Sequence, residues 1–168
     1  MDMAVENIEG TTSRRVEDYL RDASYDVDPN YVPSDFALEF VNFIKQVNGP
    51  AGEENLTPVV HYKMLDELVG QDQHICNMCC RGLAKTTIFG EYLFLYLAVY
   101  GELPNFGEVD YALYVSDSIE NGVKKMRLRL ERRYENSTFL KRFIKEVRFT
   151  DIRWYFKNNA GKLSNFLI

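Results

Sequence analysis

Apolar positions at Phe36, Phe40, Val41, Ile44 and Val47 fall on one face of a 3.6-residue repeat, so the sequence predicts a helix opened by Ser34 and closed at Asn48-Gly49. Val60, Met64, Leu65, Leu68 and Val69 repeat the pattern in a second helix, with Thr57 at its cap, Pro58 in its first turn and Gly70 at its end. Residues 75–80 form a short apolar run after the polar break "QDQH", the mark of a buried central strand. A helix beginning near Lys85 follows and carries the apolar run 88–100, and "YALYVS" at 111–116 predicts the next strand. Asp117 and Glu120 form a D-x-x-E capping box for another helix, and "STFLKRFIKEV" predicts one more. The final stretch, "VRFTDIRWYFK", "NNAG" and "KLSNFLI", predicts a β-hairpin. Strands alternating with helices of this length imply parallel pairing through crossover helices, the α/β class.

Ahead of these elements, residues 11–24 can form a short polar helix capped by Thr12 or Ser13. The expected organisation is an N-terminal helical region over residues 1–56 and a main domain over residues 57–168. The 13-residue run 88–100 falls well short of the roughly 20 residues that span a bilayer, so no membrane association is expected. The aromatics Phe89, Tyr92, Phe94 and Tyr96 are expected to pack that helix between the sheet and the N-terminal helices.

The net charge of −5 argues against a polyanionic partner only until its distribution is read: residues 123–148 hold ten of the twenty Lys and Arg and three acids. Helical spacing sets Lys125, Arg129, Arg132 and Arg133 on one side. Because that basic face has no aromatics interleaved and the chain is acidic overall, it reads as a solvated face or a charged subunit interface in preference to a DNA contact. Three cysteines, Cys76, Cys79 and Cys80, cannot frame a fold with disulfides; they predict a reduced, cytosolic setting and, on a buried strand, behave as small hydrophobes.

The chemistry concentrates in "RGLAKTT", residues 81–87. A phosphate loop needs inward-turned backbone N–H groups, a lysine for the β- and γ-phosphate oxygens, and a hydroxyl for Mg²⁺ at a helix start. Lys85 and Thr86 match the end of G-x-x-x-x-G-K-[ST], while Cys79 and Ala84 stand where the pattern has glycine and Gly82 lies within the loop. The alternative is a lysine that merely opens a helix. It is the less comfortable one, because the helix dipole and nearby burial both disfavour an unpaired ammonium there.

Over "CCRGLAKTTIFGEYLFLYLAVYGE", "YALYVSDSIENGVKKMRLRL" and "ENSTFLKRF" the chain resembles the ATPase part of the large terminase subunits of tailed bacteriophages, the motors that move viral DNA into a procapsid. The resemblance runs from about Thr57 onward and is most specific at the deviant Walker A loop R-G-x-x-K-[ST], here Arg81, Gly82, Leu83, Ala84, Lys85, Thr86 and Thr87, with Ser116-Asp117 ending the next strand. It implies a partial P-loop NTPase domain of the RecA-like (ASCE) type with N-terminal helices and a C-terminal β-hairpin, binding ATP and Mg²⁺. On it, Lys85 holds phosphate, Thr86 holds the metal ion, and Arg81 approaches the γ-phosphate as a charge-stabilising arginine. His61 stands where the family has an adenine-contacting glutamine.

The resemblance further implies the rest of the terminase or neighbouring motor subunits as partners, together with the small terminase subunit, the portal, and DNA in the intact motor. The setting would be the cytoplasm of an infected bacterial host. After Ser137 the only acids are Glu146 and Asp151, neither after an apolar run, so the chain is expected to be a terminase front piece that ends before the Walker B acids and the nuclease. Nucleotide binding is then expected to be weak and hydrolysis negligible. The competing classes are a non-enzymatic interaction fragment (regulatory, decoy, or recognised by a host defence protein) and another P-loop motor such as a helicase.

Overall fold

The computed structural model describes residues 30–50, 57–71, 74–150 and 153–167. The short polar helix expected over 11–24 lies outside them. The chain divides after Val32, and the unit from Pro33 to Ile168 is a mixed α/β structure with two sheets. Among its described residues, no helix is long and apolar enough to cross a membrane.

Helix α1 (Asp35–Asn48) starts where expected, with the Ser34 hydroxyl accepting from the Ala37 N–H and Phe36, Phe40, Val41 and Val47 buried. Helix α2 (Val59–Leu68) follows, but its cap is Pro58 with no side-chain hydrogen bond, so Thr57 does not serve there. A π-helical segment (Thr86–Tyr92) runs directly into α3 (Leu93–Tyr100). Its sequence, "LFLYLAVY", is apolar all round, which is what a helix enclosed on every side requires, and residues 94–99 are all buried. Gly101 ends it at φ +76°, a left-handed cap that costs glycine nothing, and donates to Leu97 O at 2.8 Å.

Strands β1 (Glu102–Leu103) and β2 (Gly107–Glu108) form a small antiparallel pair. The main sheet takes β3 (Tyr111–Leu113), β4 (Ile144–Phe149), β5 (Arg153–Asn158) and β6 (Leu163–Leu167) in the order β3-β6-β5-β4, with only the β3–β6 pair parallel. Between β3 and β4 lie a π-helical turn (Ile119–Val123), α4 (Lys124–Asn136) and α5 (Thr138–Phe143).

Strand alternation sends Trp154, Phe156 and Phe166 to the α3 side, where Phe94 meets the Phe166 ring edge-on at 4.8 Å. On the far side of α3, Tyr96 packs among Phe36, Phe40 and Phe43 of α1 and donates to Glu39 Oε1 at 3.1 Å. Burial first, and the neighbouring carboxylate second, push the Tyr96 hydroxyl pKa up. The expected aromatic packing of this helix is therefore observed. Asn158 fastens the β5–β6 turn to the end of α3, donating to Val99 O at 3.0 Å and accepting from the Lys162 N–H at 2.9 Å.

Several expectations fail. Residues 75–80 are irregular, and Met78 is 91% exposed: no strand among the described residues pairs with them, so no parallel pair forms with 111–116. Cys76 and Cys80 are exposed and Cys79 half-buried, so they do not act as core hydrophobes. The strand expected over 111–116 stops at Leu113. Its following helix is capped by Ser118, which accepts from the Asn121 N–H at 3.2 Å; Asp117 instead accepts from the Ser116 hydroxyl. The helix expected through "STFLKRFIKEV" ends at Phe143, and Ile144 starts β4. A turn in which Thr150 Oγ1 accepts from the Arg153 N–H at 3.0 Å splits "VRFTDIRWYFK" into β4 and β5, so the expected hairpin β5–β6 gains a third strand.

Candidate phosphate-binding loop

The loop is shaped by two residues with positive φ. Gly82 sits at +101°, where a side chain would be strained, and Ala84 at +51°, which for a non-glycine costs on the order of 1 kcal/mol or more. Ala84 O then accepts from the Ile88 N–H at 2.9 Å, and Lys85 occupies the N-cap of the π-helical segment. The residues of "RGLAKTT" thus form one turn leading into a helix, with Arg81 and Thr86 exposed and Lys85 and Thr87 half-buried.

The Lys85 ammonium is not unpaired. Its Nζ donates to Cys79 O at 2.8 Å and to Cys80 O at 3.1 Å, reaching back across the loop to the two carbonyls that precede it. This removes the argument that an anion must be present to satisfy the charge. The ammonium is instead held by the backbone that leads into its own turn. His61 Nε2 lies 3.2 Å from Leu83 O, which ties α2 to the loop across 22 positions of sequence. Sequence alone gave no sign of that contact, and with it every predicted site residue is gathered in one neighbourhood.

Lys85 and Thr86 line one end of a cleft of about 400 Å³ that is otherwise mostly apolar, walled by Phe89, Leu93 and Phe94 and by residues 112–115, at and just beyond the carboxyl end of β3. Ser116 and Asp117 come directly after that wall.

One residue of the same helix was missed. Glu91 is 2% exposed, accepts from Arg129 Nη1 at 3.2 Å through Oε1 and from Arg133 Nε at 2.6 Å through Oε2. Arg133 also donates to Asn48 Oδ1 at 3.3 Å and to the Tyr92 hydroxyl, and lies 4.3 Å over the Tyr92 ring. Burial pushes the Tyr92 pKa up, against the opposing pull of Arg133 and Asn48. The readable signal was a lone carboxylate inside an apolar run and two arginines four residues apart.

The sheet's other face carries Arg148 opposite Tyr155, Tyr155 opposite Asn165, and Asn165 opposite Tyr111. Lys145, Arg148, Arg153 and Tyr155, together with Tyr134 of α4 and the core-packed Val147, line a groove of about 1130 Å³ along β4, while its Glu146 pairs with Lys157 at 3.5 Å. Strand register interleaves tyrosines with cations that the linear sequence keeps apart. No protein-family model, curated protein or solved structure matches the chain.

Proposed function

We propose that residues 81–87 are a phosphate-binding loop and that the chain is an ATP-binding portion of a terminase-type viral DNA-packaging motor, acting in the cytoplasm of an infected bacterial host. The observation that supports the reading is Lys85: from a helix start it folds its ammonium back onto the carbonyls of Cys79 and Cys80, and it lines a cleft near the carboxyl end of β3. On this reading Lys85 exchanges two neutral carbonyl acceptors for the anionic β- and γ-phosphate oxygens, so that both donor and acceptor carry charge. The exposed Thr86 hydroxyl is placed to take Mg²⁺, which supplies charge neutralisation at the phosphates. Arg81, exposed at the loop's start, turns its guanidinium to the terminal phosphate, and His61 steadies the loop backbone through Leu83 O.

Calorimetric titration of Mg·ATP into the chain and into Lys85→Ala tests this. Loss of the ammonium is expected to weaken binding by roughly 30- to 100-fold, the equivalent of about 2–3 kcal/mol for hydrogen bonds to a charged group. Equal affinity in the two proteins would reduce Lys85 to a helix-opening residue.

The same reading assigns the groove on the outer sheet face to DNA in the intact motor. Lys145, Arg148 and Arg153 supply phosphate contacts and Tyr134 and Tyr155 supply apolar surface between them. Anisotropy of a labelled duplex measured across a salt series is expected to lose about two units of log–log slope in the double variant Arg148→Ala/Arg153→Ala. An unchanged slope would remove this face from the DNA path.

A further inference from the structure

We propose that the cleft between the π-helical segment and α4 is a second anion site, separate from the loop, for a phosphate-class oxyanion. Thr87, Glu91, Arg129, Arg132 and Arg133 line a cleft of about 380 Å³. Arg132 and Arg133 also line an adjoining cleft of about 210 Å³ with Asn48 and Asn136, so the two form a continuous stretch rich in hydrogen-bond donors. The cleft is lined by three guanidiniums and one carboxylate, of which only Arg129 and Arg133 touch the carboxylate, and this leaves an excess of two positive charges.

Glu91 does not absorb that excess. It is buried, and each of its oxygens already holds one guanidinium, Arg129 on Oε1 and Arg133 on Oε2. A guanidinium has five N–H donors. Arg129 directs Nη1 at Glu91, and Arg133 spends Nε on Glu91 and Nη1 on Asn48 and Tyr92, so both keep donors for a further acceptor. Arg132 has no polar partner among the described residues and does not reach Glu91. If these arginines served only to neutralise one carboxylate, a single guanidinium would suffice and Arg132 would have no place in the cleft.

The carboxylate instead holds one guanidinium on each oxygen, with a third beside them and Thr87 lining the same cleft. Tetrahedral oxyanions are gripped this way, by forked donors whose geometry is set before binding. Thr87 and Thr86 line different clefts, so this site and the loop occupy different faces of one helix. The proposal therefore stands whether or not the loop binds ATP.

The test is calorimetric titration of inorganic pyrophosphate, in EDTA to suppress any metal-dependent binding at the loop, into the whole chain, Arg132→Ala and Lys85→Ala. Binding by the unmodified chain and by Lys85→Ala with equal affinity, weakened roughly tenfold or more in Arg132→Ala, is the expected result. Arg132 is exposed and makes no polar contact, so its variant should keep the parent's thermal midpoint, which a melting curve checks. A competing duplex oligonucleotide separates the sources. Displacement of pyrophosphate identifies the phosphodiester backbone as the occupant, and no displacement identifies free phosphate compounds. Absence of binding to the unmodified chain, or binding that Arg132→Ala leaves intact, overturns the site.

Discussion

Replacing Glu91 by alanine is expected to cost the fold about 2–4 kcal/mol, since it removes a buried carboxylate that holds two guanidiniums and leaves the half-enclosed Arg133 without its counterion, while the more exposed Arg129 turns to solvent. Arg133 is the more enclosed of the two, at 26% exposure against 55% for Arg129, and carries most of the loss. A domain of ordinary stability holds only about 5–15 kcal/mol in total, so the variant would lose a measurable share of it. The carboxylate also joins α4 to the helix that follows residues 81–87, so its removal should loosen the support of that turn. Replacing the network with apolar groups is the informative control: Glu91→Leu combined with Arg133→Met should recover much of the loss, because a buried ion pair contributes little net stability while a half-broken one is costly. Urea midpoints at constant slope give the comparison. A change below about 1 kcal/mol for Glu91→Ala would mean that water, and not the arginines, satisfies this carboxylate.

How far the sequence could be read divides along the range of the interactions involved. α1 was legible because its cap, its apolar stripe and its glycine stop all lie within sixteen residues and agree. The β5–β6 hairpin was legible for the same reason, with alternating Trp154, Phe156 and Phe166 on either side of a glycine-containing turn. Residues 75–80 misled because a short apolar run carries no period, and only the presence of a pairing strand decides whether it becomes one. The change from α5 to β4 at Ile144 was hidden because Phe143, Ile144 and Val147 continue a helical spacing, while the partner that draws Ile144 into the sheet is Asn158. Within the site, the order Arg81 to Thr87 was plain, but the partners were not. Lys85 with its own loop carbonyls, His61 with Leu83 O, and Glu91 with Arg133 are choices made by tertiary packing. The tyrosine-lined cationic groove shows this most clearly, since it exists only once β4, β5 and β6 are in register.

Trp154→Ala should remove about 3–5 kcal/mol, in the range of the Glu91 variant but by a different route. Its indole is fully buried between the sheet and α3, opposite Phe149 and Phe166 in register and 6.1 Å from Phe94 ring to ring. Truncation would open a cavity that three surrounding aromatic rings are too large and too constrained to fill. Trp154 Nε1 nevertheless has no hydrogen-bond partner among the described residues, and a buried unsatisfied N–H carries a penalty of about 1–3 kcal/mol. Trp154→Phe removes that penalty together with part of the ring, so the two effects oppose each other. The phenylalanine variant should therefore lie within about 1 kcal/mol of the parent, far from the alanine variant. Denaturant midpoints of the three proteins decide the matter. Near-equal losses for phenylalanine and alanine would show that the indole N–H is bonded after all, to a water held in the core, and that the polar end of Trp154 contributes as much to the sheet's seat on α3 as its apolar body.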